Sequence, residues 1–97
     1  MMDRVTKLSM MWLVLLGLII PFAYAQSLDE AKKLNQEVVR FYHQGRYKEA
    51  VPFAKRTLEI CKSLFGKENP NTATSYNNLA LLYKKLGDYS KAESLLK

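Results

Sequence analysis

The 97-residue chain has one cysteine and one histidine, and these two scarcities remove several chemistries at once. With Cys61 alone, no disulfide can form within the chain. With His43 alone and no cysteine cluster, there is no metal-ligand spacing, since zinc and its relatives need three or four converging donors. The four glycines are scattered rather than gathered into a phosphate-cradling loop. No serine sits in a nucleophile-elbow context, and no Cys–His pair has a useful spacing. Catalysis, cofactors and metals therefore have nothing in the sequence to stand on, and the chain is read as a non-enzyme.

A long unbroken apolar run is also lacking. Met1–Gln26 reads "MMDRVTKLSMMWLVLLGLIIPFAYAQ": a short segment with Arg4 and Lys7 against Asp3, an uncharged run over Met10–Phe22, then Ala23-Tyr24-Ala25. A membrane span takes about 20 apolar residues, whereas about 10–14 is typical of a signal-peptide core. Pro21 late in the run and the Ala-x-Ala pattern favour a secretory signal peptide cleaved after Ala25 over an uncleaved anchor. Residues 1–25 are thus assigned as signal peptide, and the protein is expected to be exported, to periplasm or medium, with no stable membrane span after cleavage.

The full chain carries fifteen Lys and Arg against nine Asp and Glu. Removing Arg4, Lys7 and Asp3 with the leader leaves thirteen against eight, a net charge near +5. These charges are spread along helical faces with only short pairs such as Lys32-Lys33 and Lys84-Lys85, and there is no basic arm. A solvated surface explains them better than a nucleic-acid site. Cys61 falls on an apolar stripe with Val51, Ala54, Leu58 and Leu64 at helical spacing, which reads as a buried, inert thiol.

What the chain does have is a repeat. Laid over the residues 42 positions earlier, Tyr76 falls on Leu34, Asn77 on Asn35, Ala80 on Val38 and Tyr83 on Phe41. Gly-x-Tyr-x-x-Ala is identical in both copies, at Gly45, Tyr47 and Ala50 and at Gly87, Tyr89 and Ala92. Each copy reads as a helical hairpin. Its first helix spans 31–44 or 74–86, with apolar residues every three or four positions. Gly45 and Gly87 end these helices, and Asp88 is placed to cap the next one, whereas Arg46 at the matching position is a poorer cap. Ala50 and Ala92 are small where the two helices must approach closely, and Tyr47 and Tyr89 are expected to wedge into the neighbouring helix. The second helix of the first copy is expected from Lys48 to Phe65, with Gly66 ending it and Pro52 bending it slightly. Asn71 or Thr72 is the expected cap of the following helix, and Ser27, three residues before Glu30, that of the first.

The pattern Tyr76-x2-Leu79-Ala80-x2-Tyr83, then Gly87, Tyr89 and Ala92, resembles the tetratricopeptide repeat. That repeat is usually 34 residues long; the 42-residue offset resembles the subclass found in kinesin light chains and many bacterial repeat proteins. The likeness covers residues 31–97 and is tighter in the second copy, since Glu37, Val38 and Ala54 depart from it in the first. It implies an all-α solenoid of antiparallel hairpins, with a repeat region at 26–97, repeat one at about 31–72 and an incomplete repeat two at about 73–97. It also implies a protein–protein interaction module, binding a peptide or protein on a concave surface lined by the first helix of each hairpin.

On that face lie Lys32, Asn35, Gln36, Val39 and His43 in the first copy, and Thr74, Asn77, Asn78, Leu81 and Lys85 in the second. The resemblance assigns peptide contact to these residues other than His43, which reads as a surface or turn residue. An amide donates and accepts at once, so it suits a peptide backbone of any sequence; Lys32 and Lys85 would favour acidic groups. Tyr42, Tyr76 and Tyr83 could line a groove, but aromatics at helical spacing belong more often to a core. The second copy breaks off at "ESLLK", and solenoids usually need about three repeats to bury their apolar faces. The chain therefore reads as the N-terminal piece of a longer array. An alternative reading makes it the repeat segment of a larger signalling or peptidase protein; another has its open ends self-associate.

N-terminal sequencing of the protein recovered from its source should return Gln26 as the first residue. A membrane-bound form that retains Met1 would contradict cleavage.

Overall fold

The computed structural model describes the backbone of residues 2–97 and the side chains of residues 23–97. The expected signal peptide therefore lies, apart from its last three residues, outside the side chains described. Four helices follow one another: α1 (Met2–His43), α2 (Tyr47–Phe65), α3 (Pro70–Lys85) and α4 (Tyr89–Leu96). No strand occurs among the described residues. Each helix packs on the next, giving two antiparallel hairpins, α1–α2 and α3–α4, joined through the α2–α3 contact. The all-α hairpin architecture anticipated from the repeat is the one observed. Among the described residues, no helix is long and apolar enough to cross a membrane.

The two hairpin turns are built alike. Gly45 and Gly87 have φ of 71° and 82°, in the left-handed region that side chains with a Cβ disfavour. In the first turn Arg46 N–H donates to the Phe41 carbonyl at 2.9 Å and Gly45 N–H to Tyr42 at 3.0 Å. In the second, Asp88 N–H donates to Tyr83 at 2.8 Å and Gly87 N–H to Lys84 at 3.0 Å. Both turns are Schellman motifs, which satisfy the last carbonyls of the helix and reverse the chain. The starts of the return helices differ. The Asp88 carboxylate accepts from Lys91 N–H at 3.2 Å, whereas Arg46 makes no side-chain cap bond and pairs with Glu49 instead.

Beyond the turns, Ala50 and Ala92 are 0% and 1% exposed. They belong to one cluster with Val38 and Phe41 of α1, Ala54 and Leu58 of α2, and Leu79, Ala80, Leu82 and Tyr83 of α3. All four helices thus contribute to a single core. Cys61 is buried as anticipated, on the seam between α2 and α3, where its sulfur accepts from the Ser75 hydroxyl at 3.4 Å.

Three local expectations are corrected. Ser27 does not cap a helix: α1 passes through it without interruption, because no glycine or proline stands between Phe22 and Gln44 to break the run. Contacts to α2 hold this stretch, with Tyr24 edge-on to Phe65 at 6.2 Å and Glu30 accepting from Arg56 at 3.4 Å. The cap of α3 is Asn69 rather than Asn71 or Thr72. Its side-chain oxygen accepts from Asn71 N–H at 2.9 Å, and Pro70 takes the first helical position, where a missing N–H costs nothing. Tyr89 does not wedge; it is 67% exposed. Tyr47 packs against the core and meets the Tyr42 ring at 5.4 Å, but 42 residues on from Tyr42 stands Lys84, which offers Tyr89 no such ring.

Thr72, freed from capping, is fully buried. Its hydroxyl lies 2.7 Å from the Gly66 carbonyl and 3.2 Å from that of Cys61, closing the α2–α3 connection. Thr72→Val keeps the shape but removes the donor, so it should lower unfolding stability by about 1–3 kcal/mol. Thr74→Val, which removes an exposed bond to Pro70, should change it by less than about 0.5 kcal/mol. Urea unfolding followed by circular dichroism compares the two; equal effects would contradict the buried bond.

Candidate functional site

The helix period settles what each first helix leaves uncovered. In α1, Lys32, Asn35, Gln36, Val39 and His43 recur at three- and four-residue steps and share one face. Lys32, Gln36, Val39 and His43 are exposed and Asn35 is half-buried. In α3, Thr74, Asn77, Asn78, Leu81 and Lys85 repeat that register at the 42-residue offset. All are exposed except Asn78, which is half-buried. Two apolar residues, Val39 (46%) and Leu81 (40%), are left open at equivalent positions.

These residues lie on open helix faces rather than in one closed pocket. Gln36 lines a hollow of about 630 Å³ along α1, Lys32 another of about 400 Å³ near Leu28, and Asn77 a third of about 440 Å³ between α3 and the end of α4. Neither Lys32 nor Lys85 has an ion-pair partner among the described residues, and both are exposed. The aromatics divide as their spacing suggests: Tyr83 is buried, while Tyr42 and Tyr76 are half-buried against the core. Phe41, also in the core, carries the Arg40 and Arg46 guanidinium groups over its ring at 4.7 and 4.8 Å. Among the described residues, no three His, Cys, Asp or Glu side chains are placed to hold a metal ion.

The other flanks of α1 and α3 differ, and the difference isolates the shared stripe. Thr72, Ser75, Leu79 and Leu82 of α3 are buried. Stepping back 42 residues gives Glu30, Lys33, Glu37 and Arg40, none of them buried. They take up ion pairs, Lys33 with Asp29, Arg40 with Glu37 and Glu30 with Arg56. The α3 flank carries the Thr72 and Ser75 contacts to Cys61 of α2, whereas the matching flank of α1 meets α2 through the exposed Glu30–Arg56 pair. The stripes, by contrast, are exposed or half-buried at every position in both copies.

A second surface escaped the repeat-based reading. Lys48, Lys55 and Lys62 stand seven residues apart on α2, which places them in one row about 10.5 Å apart along the helix. The row flanks Tyr83 and Tyr76 of α3: Lys48 and Lys55 line a groove with Tyr83, and the Lys62 ammonium lies 5.9 Å from the Tyr76 ring centre. The heptad spacing was visible in the sequence, but only the packing of α2 on α3 puts it beside the tyrosines.

Comparison with known proteins gives one result. A family model described as tetratricopeptide repeat matches residues 29–97. No curated protein matches the chain.

If the stripes are surface and the opposite faces are core, their truncations separate cleanly. Asn35→Ala and Asn77→Ala should each change unfolding stability by less than about 0.5 kcal/mol, while Leu79→Ala should cost about 2–5 kcal/mol. A denaturant series on the three variants decides; an asparagine variant as damaging as Leu79→Ala would make the stripe structural.

Proposed function

We propose that this chain, which belongs to the tetratricopeptide repeat family, is an exported interaction module that grips an extended peptide or protein segment along the stripes of α1 and α3. Repeats of this family serve in general as protein–protein interaction modules, and the 42-residue period resembles the kinesin-light-chain subclass. The observation that carries the proposal is the recurrence of one pattern in one register: an amide pair with one exposed and one half-buried member (Asn35 and Gln36, then Asn77 and Asn78) beside one open apolar residue (Val39, then Leu81). An amide pair can donate to a peptide carbonyl and accept from a peptide N–H together, while the apolar residue offers a small patch for a side chain. Lys32 at the start of one stripe and Lys85 at the end of the other would favour an acidic residue or a terminal carboxylate.

Binding needs no catalytic group, cofactor or metal. Specificity would come from where the side chains of the partner meet Val39 and Leu81, because the amides read backbone alone. The leader pattern of residues 1–25 supports export as the setting in which the partner is met.

A photo-crosslinking residue placed at Val39 or at Leu81 should capture the same protein from the source organism, and one placed at exposed Ser90 of α4 should not. For a partner so identified, replacing Asn77 and Asn78 together with alanine should weaken binding by roughly tenfold, about two ordinary hydrogen bonds. Capture at Ser90 as strong as at Leu81, or undiminished affinity in the double variant, would contradict the proposed face.

A further inference from the structure

The groove beside the α2 lysine row lies away from both stripes and has a composition of its own. Its volume is about 360 Å³, and Tyr83 of α3 lines it together with Val51 and Pro52 of α2 and Leu86 from the α3–α4 turn. Leu86 is 43% exposed, a large apolar side chain with one side open. Lys48 and Lys55 flank the groove along α2, and Lys91 of α4 stands across from them together with Asp88, the one acidic residue of the lining. Lys91 is occupied: its ammonium lies 3.5 Å from the Asp88 carboxylate and 5.5 Å from the centre of the Tyr83 ring. Lys48 and Lys55 have no ion-pair partner among the described residues.

The distribution of pairing across the chain makes this notable. Arg40, Arg46 and Arg56 are all paired with glutamates, and six of the eight acidic residues from Gln26 onward are in ion pairs. The positive excess therefore resides on lysines, and Lys48, Lys55 and Lys62 set three of them in one line. Lysines repeated along one row repel one another weakly and gain when an anionic partner lies along them. An apolar groove flanked by such a row matches an acidic segment with an apolar side chain among its carboxylates.

We infer that the groove between α2 and the α3–α4 turn is a second docking site, for an acidic peptide segment whose apolar side chain enters over Tyr83 while its carboxylates meet Lys48 and Lys55. Lys62, one step further along the row, extends the track toward Tyr76. The site is independent of the α1 and α3 stripes, sharing no residue with them.

Fluorescence anisotropy on the full chain tests it, with a fluorescein-labelled peptide of pattern Glu-Glu-Leu-Glu-Glu as probe. Binding is expected to weaken as salt rises. It should weaken about tenfold in K48E/K55E and by a smaller factor in K48Q/K55Q, both at exposed positions that leave the fold intact. The reversed peptide, Lys-Lys-Leu-Lys-Lys, should bind K48E/K55E better than it binds the unaltered chain. N77A/N78A should bind the acidic probe as the unaltered chain does, so failure here is distinguishable from failure of the stripe. The inference is overturned by absence of binding, by equal loss in K32E/K85E, or by Lys48- and Lys55-dependent binding to phosphatidylserine vesicles without binding to the peptide.

Discussion

The approach of the two helices of each hairpin at an alanine governs the rest of the molecule. Ala50 and Ala92 have essentially no exposed surface, so the opposing helix lies against the methyl group itself. A glycine turn five residues earlier delivers the returning helix to that contact, and the same Schellman hydrogen bonds set its direction in both copies. Once the two helices are held so close, Val38, Phe41, Ala54, Leu58, Leu79 and Tyr83 fall into one core. The faces turned away from that core become the surface. The exposed stripes are thus a consequence of packing rather than a separately constructed pocket.

Charge is arranged to fit that packing. Most ion pairs lie within one or two turns of a single helix, as with Lys33 and Asp29 or Arg40 and Glu37, and their members are well exposed. Pairs of this kind contribute little to stability, about 0–1 kcal/mol each. Their value is local: they occupy Arg40, Arg46 and Arg56 together with Lys33 and Lys91, and the remaining lysines are left unpaired among the described residues. The flank of α1 that corresponds to the buried flank of α3 has charges where α3 has Thr72, Ser75, Leu79 and Leu82. Among the described residues, one repeat pattern thus carries two chemistries, buried in the core in α3 and largely exposed in α1.

Much of this could be read from the sequence, and the limits are physical. The period of 42, the two glycine turns and the small alanines were legible because backbone sign and side-chain volume permit few substitutes at those positions. The burial of Cys61 followed from helical spacing alone. The misread positions are those where a neighbour decides. Ser27 has the chemistry of a cap, but no glycine or proline stands between Phe22 and Gln44 to break the helix, so α1 continues through it. Tyr89 copies Tyr47 in sequence yet lacks the partner ring that half-buries Tyr47. Asn69 outcompetes Asn71 and Thr72 because Pro70 fits the first helical position, which leaves Thr72 free to be buried. The stripes were legible as faces, residue by residue. Their division among separate hollows, and the pairing of the α2 lysine row with Tyr76 and Tyr83, depend on distances between helices that no single-helix pattern contains.

The constraint at the alanines is testable without knowing any partner. Ala50→Leu and Ala92→Leu would each force a larger side chain between helices already in contact, and chemical unfolding reads the consequence. Each substitution should lower stability by about 1–3 kcal/mol, the usual range for overpacking, while Ser90→Leu on exposed α4 surface should be close to neutral. Leucine tolerated at both alanines without loss would contradict the close approach on which the hairpins, the common core and the exposed faces all depend.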